Sequence, residues 1–363
     1  MPEVTSEQIL DALKSVKDPD LGKDVVGLKM ISDVQVCGDV VAFTLKLTTP
    51  AHPRKELFLD ECRMAVGTLD GVATVNVRLE SHVTARTAAQ GKMSVDGVKN
   101  IVAVASGKGG VGKSTVTANL ALALVAEGAK IGVLDADIYG PSQPQMLGIP
   151  HEKPTADEKN RIFPLKTHGV QVMSMGFLVD EDSPVIWRGP MVMKALVQFL
   201  GETLWQDLDY LLLDLPPGTG DAQLTIVQQV SLSGAVIVTT PQDIALLDAR
   251  KGLQMFRKTE VPILGIVENM SYYECPSCGN RENIFDNGGG ERAASRYEVP
   301  YLGAVPLDIK VRIGGDCGEP VVVSEPDSPV AKAFREAARN VALQVAIHNS
   351  SAPFSVPELK IIG

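Results

Sequence analysis

Long apolar runs are missing from this 363-residue chain, and so is any block of consecutive lysines and arginines. Without an apolar stretch of spanning length no membrane span is expected, and without an apolar leader the expected compartment is the cytoplasm. Basic residues number 34 against 44 acidic ones, a formal charge of -10. A net acidic chain with no basic patch has no electrostatic footprint for non-specific nucleic-acid binding, so neither nucleic acid nor membrane is expected as a partner. Cysteine is scarce and odd in number, at Cys37, Cys62, Cys275, Cys278 and Cys317. That excludes a disulfide scaffold and fits a reducing compartment. The remaining composition, 45% hydrophobic, is ordinary for a globular protein, and the length allows two domains.

Residues 1–83 carry an α-β-β-α-β pattern, long enough for a small α+β domain. Ile9, Leu10, Leu13 and Val16 repeat at helical spacing with Ser6 available as N-cap, and residues 31–36 and 40–48 alternate as strands. Cys37-Gly38-Asp39 is the hairpin turn between them; a helix over 54–68 and a strand over 71–79 follow. Residues 84–99 have no sustained period and read as a linker. Residues 100–348 then alternate strand and helix patterns, with near-continuous apolar strands over 101–105, 130–134, 170–175, 210–215, 235–240 and 263–267, and a weaker one over 301–304. Such runs belong to strands covered on both faces, so the expected class is α/β with a doubly wound, mostly parallel sheet. Asp327-Ser328-Pro329 reads as the start of a helix to about residue 348, and the proline-interrupted tail 349–363 as poorly ordered.

The first apolar strand of the larger domain runs into Gly107-Lys108-Gly109-Gly110-Val111-Gly112-Lys113-Ser114-Thr115, followed by an alanine- and leucine-rich helix. The pattern G-x-x-x-x-G-K-[ST] would arise by chance in such a chain only about 1% of the time. Its glycines let successive backbone N–H groups face the phosphates of a nucleotide, and the helix N-terminus adds partial positive charge. Lys113 is the expected β/γ-phosphate ligand and the Ser114 hydroxyl the Mg²⁺ ligand, with ATP the expected nucleotide. Lys108, directly after the first glycine, makes the loop resemble the deviant Walker A loop of the MinD/ParA/NifH class of P-loop ATPases. In that class this lysine reaches across a dimer interface to the other subunit's nucleotide, which implies ATP binding coupled to homodimerisation.

Two acidic stretches end later strands. Asp214, closing Leu211-Leu212-Leu213, fits a Walker B carboxylate that holds Mg²⁺ through water. The class resemblance implies that Asp135 and Asp137, in Leu134-Asp135-Ala136-Asp137-Ile138-Tyr139-Gly140-Pro141-Ser142, form a first switch that positions the attacking water. It likewise places Gly218, Gly220 and Asp221 in a second switch that senses the γ-phosphate. Asn269, in Val267-Glu268-Asn269-Met270, resembles the residue that reads adenine, and Pro306 and Asp308 would close the base pocket. Lys108, Lys113, Asp135 and Asp137 are thus the candidate catalytic residues.

Cys275-Pro276-Ser277-Cys278-Gly279 is a C-x-x-C knuckle, set in a loop after a strand. Among five cysteines some pair falls at this offset by chance in roughly one case in twenty, so its setting counts for more than its spacing. A thioredoxin-like pair would stand at a strand-to-helix junction instead. Two thiolates fill half of a four-ligand shell for either zinc or an iron-sulfur cluster, and two chains about a twofold axis would complete it.

With the P-loop, L-D-A-D-I-Y-G-P-S, D-L-P-P-G-T-G-D, V-E-N-M and C-P-S-C-G in that order, residues 100 to about 345 resemble the Mrp/ApbC family of iron-sulfur cluster carrier ATPases. Trp187-Arg188-Gly189-Pro190 and Gly314-Gly315-Asp316 also resemble family segments. Asp18-Pro19-Asp20-Leu21 with Leu47-Thr48-Thr49-Pro50-Ala51-His52-Pro53 is similar to the small iron-sulfur assembly domain of SufT-type proteins, with His52 where that domain normally has cysteine. The resemblance implies a [4Fe-4S] cluster held by Cys275 and Cys278 at a homodimer interface, its delivery to apoproteins, exchange with other iron-sulfur assembly proteins, and slow ATP hydrolysis. Two alternatives remain at this stage. A MinD/ParA-like positioning ATPase would need a basic surface-binding device that the acidic chain lacks, and a zinc-stapled regulatory ATPase would use the same cysteines for Zn²⁺.

Overall fold

The computed structural model of the protein describes residues 4–351, excepting 20, 90, 139 and 179–188. The tail beyond 351, Trp187 and Arg188 therefore lie outside the described residues. The first unit opens with α1 (Ser6–Leu13), whose N-cap is Thr5: its hydroxyl accepts from the Gln8 amide while the Gln8 side chain accepts from the Thr5 amide. The cap falls one position before Ser6 because this capping box needs the glutamine three residues on. A short ladder of β1 (Lys17–Asp18) and β2 (Lys23–Asp24) precedes β3 (Ile31–Cys37), β4 (Val40–Leu47), α2 (Lys55–Gly67) and β5 (Thr74–Ser81). β4 is central, antiparallel to β3 and parallel to β5. Ile9, Leu13, Phe43, Leu45, Phe58 and Cys62 are fully or nearly fully buried between this sheet and the two helices. Cys62 is a structural thiol, pushed up to about 12 by burial and then by Glu61.

The larger unit contains β6 (Val98–Ser106), α3 (Lys113–Ala126), β7 (Ile131–Asp135), α4 (Gln143–Met146), β8 (Leu165–Thr167), β9 (Val170–Ser174) and α5 (Gly189–Glu202). It continues through β10 (Leu208–Asp214), α6 (Asp221–Gln229), β11 (Gly234–Thr239), α7 (Asp243–Lys258), β12 (Ile263–Glu268), β13 (Tyr273–Glu274) and β14 (Arg281–Glu282). Then come α8 (Gly289–Tyr297), β15 (Tyr301–Ala304), α9 (Ile309–Cys317), α10 (Val321–Ser324) and α11 (Pro329–Ser351). Eight strands form one sheet in the order β15-β12-β11-β6-β10-β7-β9-β8. All neighbours are parallel except the edge strand β8, which runs antiparallel to β9. Helices cover both faces and give two buried clusters. α3 is apolar nearly all round because it is sandwiched between sheet and α11, with Leu120, Leu122 and Leu124 buried. No described helix is long and apolar enough to cross a membrane.

Residues 84–97, residue 90 apart, run along the larger unit rather than through solvent, and Val98 and Lys99 already belong to β6. The Met93 amide donates to the Gln229 carbonyl at 2.7 Å, the Ser231 amide to the Met93 carbonyl at 2.9 Å, and Val83 and Val95 are buried. Val95 within the strap and Val83 just before it carry no period, yet with these backbone bonds they pin it.

The first unit docks on the end of α3. Glu127, the C-cap of α3, accepts from Lys55 of α2 at 2.7 Å and from Arg339 of α11 at 2.8 Å, and Tyr210 donates its hydroxyl to Thr49 at 3.0 Å. A carboxylate at a helix C-terminus opposes the helix dipole, so this residue needs its two cations. Burial raises the Glu127 carboxyl, but the bonds from Lys55 and Arg339 outweigh it and hold it below the ordinary value. Glu127→Gln should therefore lower the stability of the docked chain by about 1–3 kcal/mol at neutral pH. A depressed carboxyl stabilises above its unfolded pKa and loses that stabilisation as pH falls through its folded one. Thermal melts should show the gap between wild type and variant closing on acidification below about pH 4; a gap constant with pH would contradict the ion pair.

Candidate functional site

β6 lies between β10 and β11, so the connections at its carboxyl end diverge to opposite sides and leave a crevice there. The loop 107–112 fills that crevice. A Cβ on Gly107 would stand 2.1 Å from the Asp248 carbonyl carbon, and Gly112, at φ +80°, would bring one to 2.3 Å from Asn269 Nδ2. Only glycine fits either place. α3 follows with Gly112 as N-cap, so its first amides face the loop's concavity.

Lys113, 6% exposed, donates its ammonium to the Asp214 carboxylate and lies 3.1 Å from Ser114 Oγ. Asp214 is fully buried and also accepts from Thr117 Oγ1 at 3.1 Å and Gln143 Nε2 at 2.8 Å. Asp135, opposite Asp214 in the β10–β7 register, accepts from the amides of Asp137 (3.1 Å), Ser142 (2.9 Å) and Gln143 (3.0 Å), and from Ser174 Oγ (3.3 Å). Burial, and then the Asp214 charge, push Asp135 up to about 7. Asp135 thus organises the loop after β7, while Asp137 sits two residues further along, 9% exposed. Gly218, at φ +93°, donates its amide to the Ser106 carbonyl, and Gly220 caps α6 ahead of Asp221.

A Mg²⁺ ion fits this donor set. The Ser114 hydroxyl and Asp214 carboxylate are oxygen ligands of the hard kind, and Gln143 Oε1 is a buried acceptor with no hydrogen-bond partner.

Asn269, Pro306 and Asp308, far apart in sequence, meet around a cavity of about 310 Å³ that also touches Gly112 and Thr115. Asn269 donates to the Val111 carbonyl at 2.9 Å, which ties this cavity to the phosphate loop. Asp308 caps α9 through the Lys310 amide at 2.8 Å. Glu268 beside Asn269 is fully buried and accepts from the amides of Gly288 and Gly290, anchoring α8.

The knuckle tops the β13–β14 hairpin. The Gly279 amide donates to the Cys275 carbonyl at 2.8 Å, and the Cys275 amide to the Asn280 carbonyl at 2.9 Å. Cys278 is exposed and Cys275 partly so. Bonds from the Ser277 amide, then from the Cys278 amide and thiol, lower the Cys275 pKa, which favours its thiolate. No group of three or more His, Cys, Asp or Glu that could hold a metal occurs among the described residues. The Leu307 amide donates to the Tyr272 carbonyl at 2.7 Å, so the wall of that cavity and the knuckle share one backbone pairing.

The fold therefore brings Gly107 to Thr115, Asp135, Asp137 and Asp214 together, gathers Asn269, Pro306 and Asp308 beside them, and sets Cys275 and Cys278 on a neighbouring hairpin. His52 remains in the first unit, 1% exposed and 3.8 Å from Asp18. Sequence reasoning missed Thr117, Gln143 and Glu268. Thr117 was findable, one helical turn after Lys113; nothing in the sequence marks Gln143.

The comparisons agree with this geometry. Residues 97–342 match the family of the NUBPL iron-transfer P-loop NTPase, and residues 6–77 match an iron-sulfur cluster assembly protein domain. The iron-sulfur cluster carrier protein of Synechocystis sp. is 49% identical over 348 residues, 95% of this chain and 99% of its own length. That of Escherichia coli K12 is 45% identical over 344 residues, 95% of this chain and 93% of its own. Among solved structures, an Archaeoglobus fulgidus nucleotide-binding protein in complex with ADP is 40% identical, with TM-score 0.58, over 66% of this chain and 93% of its own. The Pyrococcus furiosus cell division ATPase MinD is 27% identical, with TM-score 0.51, over 67% of this chain and 98% of its own. On this sequence, fold and phosphate site, the chain belongs to the NUBPL-type iron-transfer P-loop NTPases, the family of the iron-sulfur cluster carrier proteins.

Proposed function

We propose that this carrier dimerises around ATP, holds a [4Fe-4S] cluster as cargo between Cys275 and Cys278 of two protomers, and delivers it to apo iron-sulfur proteins. The observation that carries the reading is the exposed knuckle. One chain supplies two adjacent thiolates, with no third ligand of the His, Cys, Asp or Glu kind beside them among the described residues. A cubane needs four, and a twofold axis through the knuckle provides them.

In this reading the loop amides and Lys113 hold the phosphates, Asn269 and the 306–308 segment hold the base, and Ser114 with Asp214 hold Mg²⁺. The ion would supply charge neutralisation at the phosphates. Asp137 orients the water, while Asp135, with its oxygens held by four protein donors, fixes the loop that carries it. With no strong base free at Asp135, turnover is slow. Cargo and nucleotide communicate through the Leu307–Tyr272 pairing. Donor assembly proteins load the knuckle, and the first unit, residues 1–83, is the domain through which such partners dock. The cytoplasm is the compartment in which free thiols and apoprotein acceptors meet.

Lys108 tests the dimer. Acting on the opposite subunit's nucleotide, Lys108→Ala should bind ATP within about threefold of wild type yet fail to dimerise on ATP, seen by analytical ultracentrifugation with ATP and with ADP. Transfer of cluster to an apo-ferredoxin, followed by absorbance, should slow in parallel. ATP-dependent dimerisation at the wild-type level in the variant would overturn the role of Lys108 in trans.

A further inference from the structure

We infer that Gln143 is a positioning residue of the nucleotide site: it fixes the Asp214 carboxylate when Lys113 leaves it for the phosphates, and it offers Oε1 as an acceptor to a magnesium-bound water. The inference rests on reading Ser114 and Asp214 as the magnesium residues. Gln143 is fully buried at the first position of α4, and its backbone amide donates to Asp135 at 3.0 Å. Its side-chain Nε2 donates to Asp214 Oδ2 at 2.8 Å and to the Ser114 carbonyl at 2.9 Å. Both partners are pure acceptors, so the amide orientation is fixed by chemistry: nitrogen toward them, oxygen away. Among the described residues Gln143 is thereby the one whose side chain bonds both Asp214 and the Ser114 backbone, and its own backbone is tethered to Asp135 as well.

That orientation leaves Oε1 buried without a donor. A buried acceptor without a partner costs free energy, and such a group calls for a physical reason. Waters on a magnesium ion present only hydrogens outward and require acceptors around them. Oε1 is such an acceptor, covalently fixed beside the two residues that hold the ion. In this structure Lys113 neutralises Asp214. The phosphates compete for the same ammonium, and when it moves Asp214 keeps only the Thr117 hydroxyl and the Gln143 amide as donors. A loop built to exchange one cation for another needs a neutral group that holds the carboxylate through the exchange, and an amide donor does this in either state.

The test is calorimetric binding of ADP to the full chain, in Mg²⁺ and in EDTA, for wild type, Gln143→Met, Gln143→Leu and Asp214→Asn. Methionine keeps the length and volume of glutamine and removes both polar ends. In Mg²⁺ the Gln143 variants should bind ADP about tenfold more weakly than wild type, with a clearly smaller loss in EDTA, where only the hold on Asp214 is missing. An equal loss in both media would mean that the residue only packs the loop, and no loss in either would mean that it does nothing for the ion; both overturn the inference. Asp214→Asn separates it from the reading beneath it. If that variant loses the Mg²⁺ enhancement while Gln143→Met and Gln143→Leu keep it, this inference alone fails; if Asp214→Asn keeps it, the magnesium assignment fails and takes the inference with it.

Discussion

Lys113→Ala should reduce ATP turnover by at least about 10²–10³-fold, the scale on which removal of one preorganised donor to a developing charge acts. The ammonium is the only side-chain cation that the phosphate loop buries, and no neighbouring residue among those described substitutes for it at Asp214. The same substitution leaves Asp214 fully buried with two neutral donors, Thr117 and Gln143, and no counter-charge. Breaking a buried ion pair from one side costs about 3–5 kcal/mol, so the nucleotide-free variant should melt several degrees lower. Stability and catalysis must therefore be read separately. The double variant Lys113→Met/Asp214→Asn removes both charges, and its melting temperature should return towards wild type because no unpaired charge remains. Its ATP turnover should stay lost. Hydrolysis near the wild-type rate in either folded variant would sink the phosphate-site assignment.

The sequence is most legible where burial is most uniform. Six of the seven strands expected in the larger unit match an observed strand to within two residues at each end, because a strand covered on both faces must be apolar at every position, as in Leu211-Leu212-Leu213; β6 alone starts three residues earlier, through the less apolar Val98-Lys99-Asn100. β8 was not legible: three residues, Leu165-Lys166-Thr167, pair only at the sheet edge and owe their strand to β9, not to a pattern of their own. The phosphate loop could be read directly because its chemistry is contiguous. Gln143 could not, since its role exists only after β7 and β10 pair and carry it to Asp214, 71 positions away. Glu127 hides for the same reason. On a helix pattern it is a solvated charge; only the docking of α2 and α11 makes it a buried one. The strap at 84–99 shows the converse: it carries no sustained period, yet Val95, its buried neighbour Val83 and a few backbone bonds hold it against the larger unit.

The double variant Cys275→Ser/Cys278→Ser should lose bound iron and acid-labile sulfide while keeping ATP turnover within about threefold of wild type. Wild type, reconstituted anaerobically, should hold about four iron and four sulfide per dimer, one cubane on four thiolates. The separation of effects follows from placement. The cysteines sit on the β13–β14 hairpin, whereas Lys113, Ser114 and Asp214 sit at the ends of α3 and β10. Serine keeps the turn at Gly279, which rests on backbone bonds and not on sulfur. The lowered Cys275 pKa adds a pH signature, because a ligand must lose its proton to bind and the depressed thiol does so at lower pH than a free cysteine. Cluster loading should accordingly persist below the pH at which an ordinary thiol pair releases iron. Replacing Ser277 by proline removes the amide bond that is the largest cause of the shift, and loading should then fail at a higher pH. Zinc bound at one ion per dimer, with no sulfide, would instead make the knuckle a staple between protomers, and iron retained by the serine variant would place the cargo elsewhere on the chain.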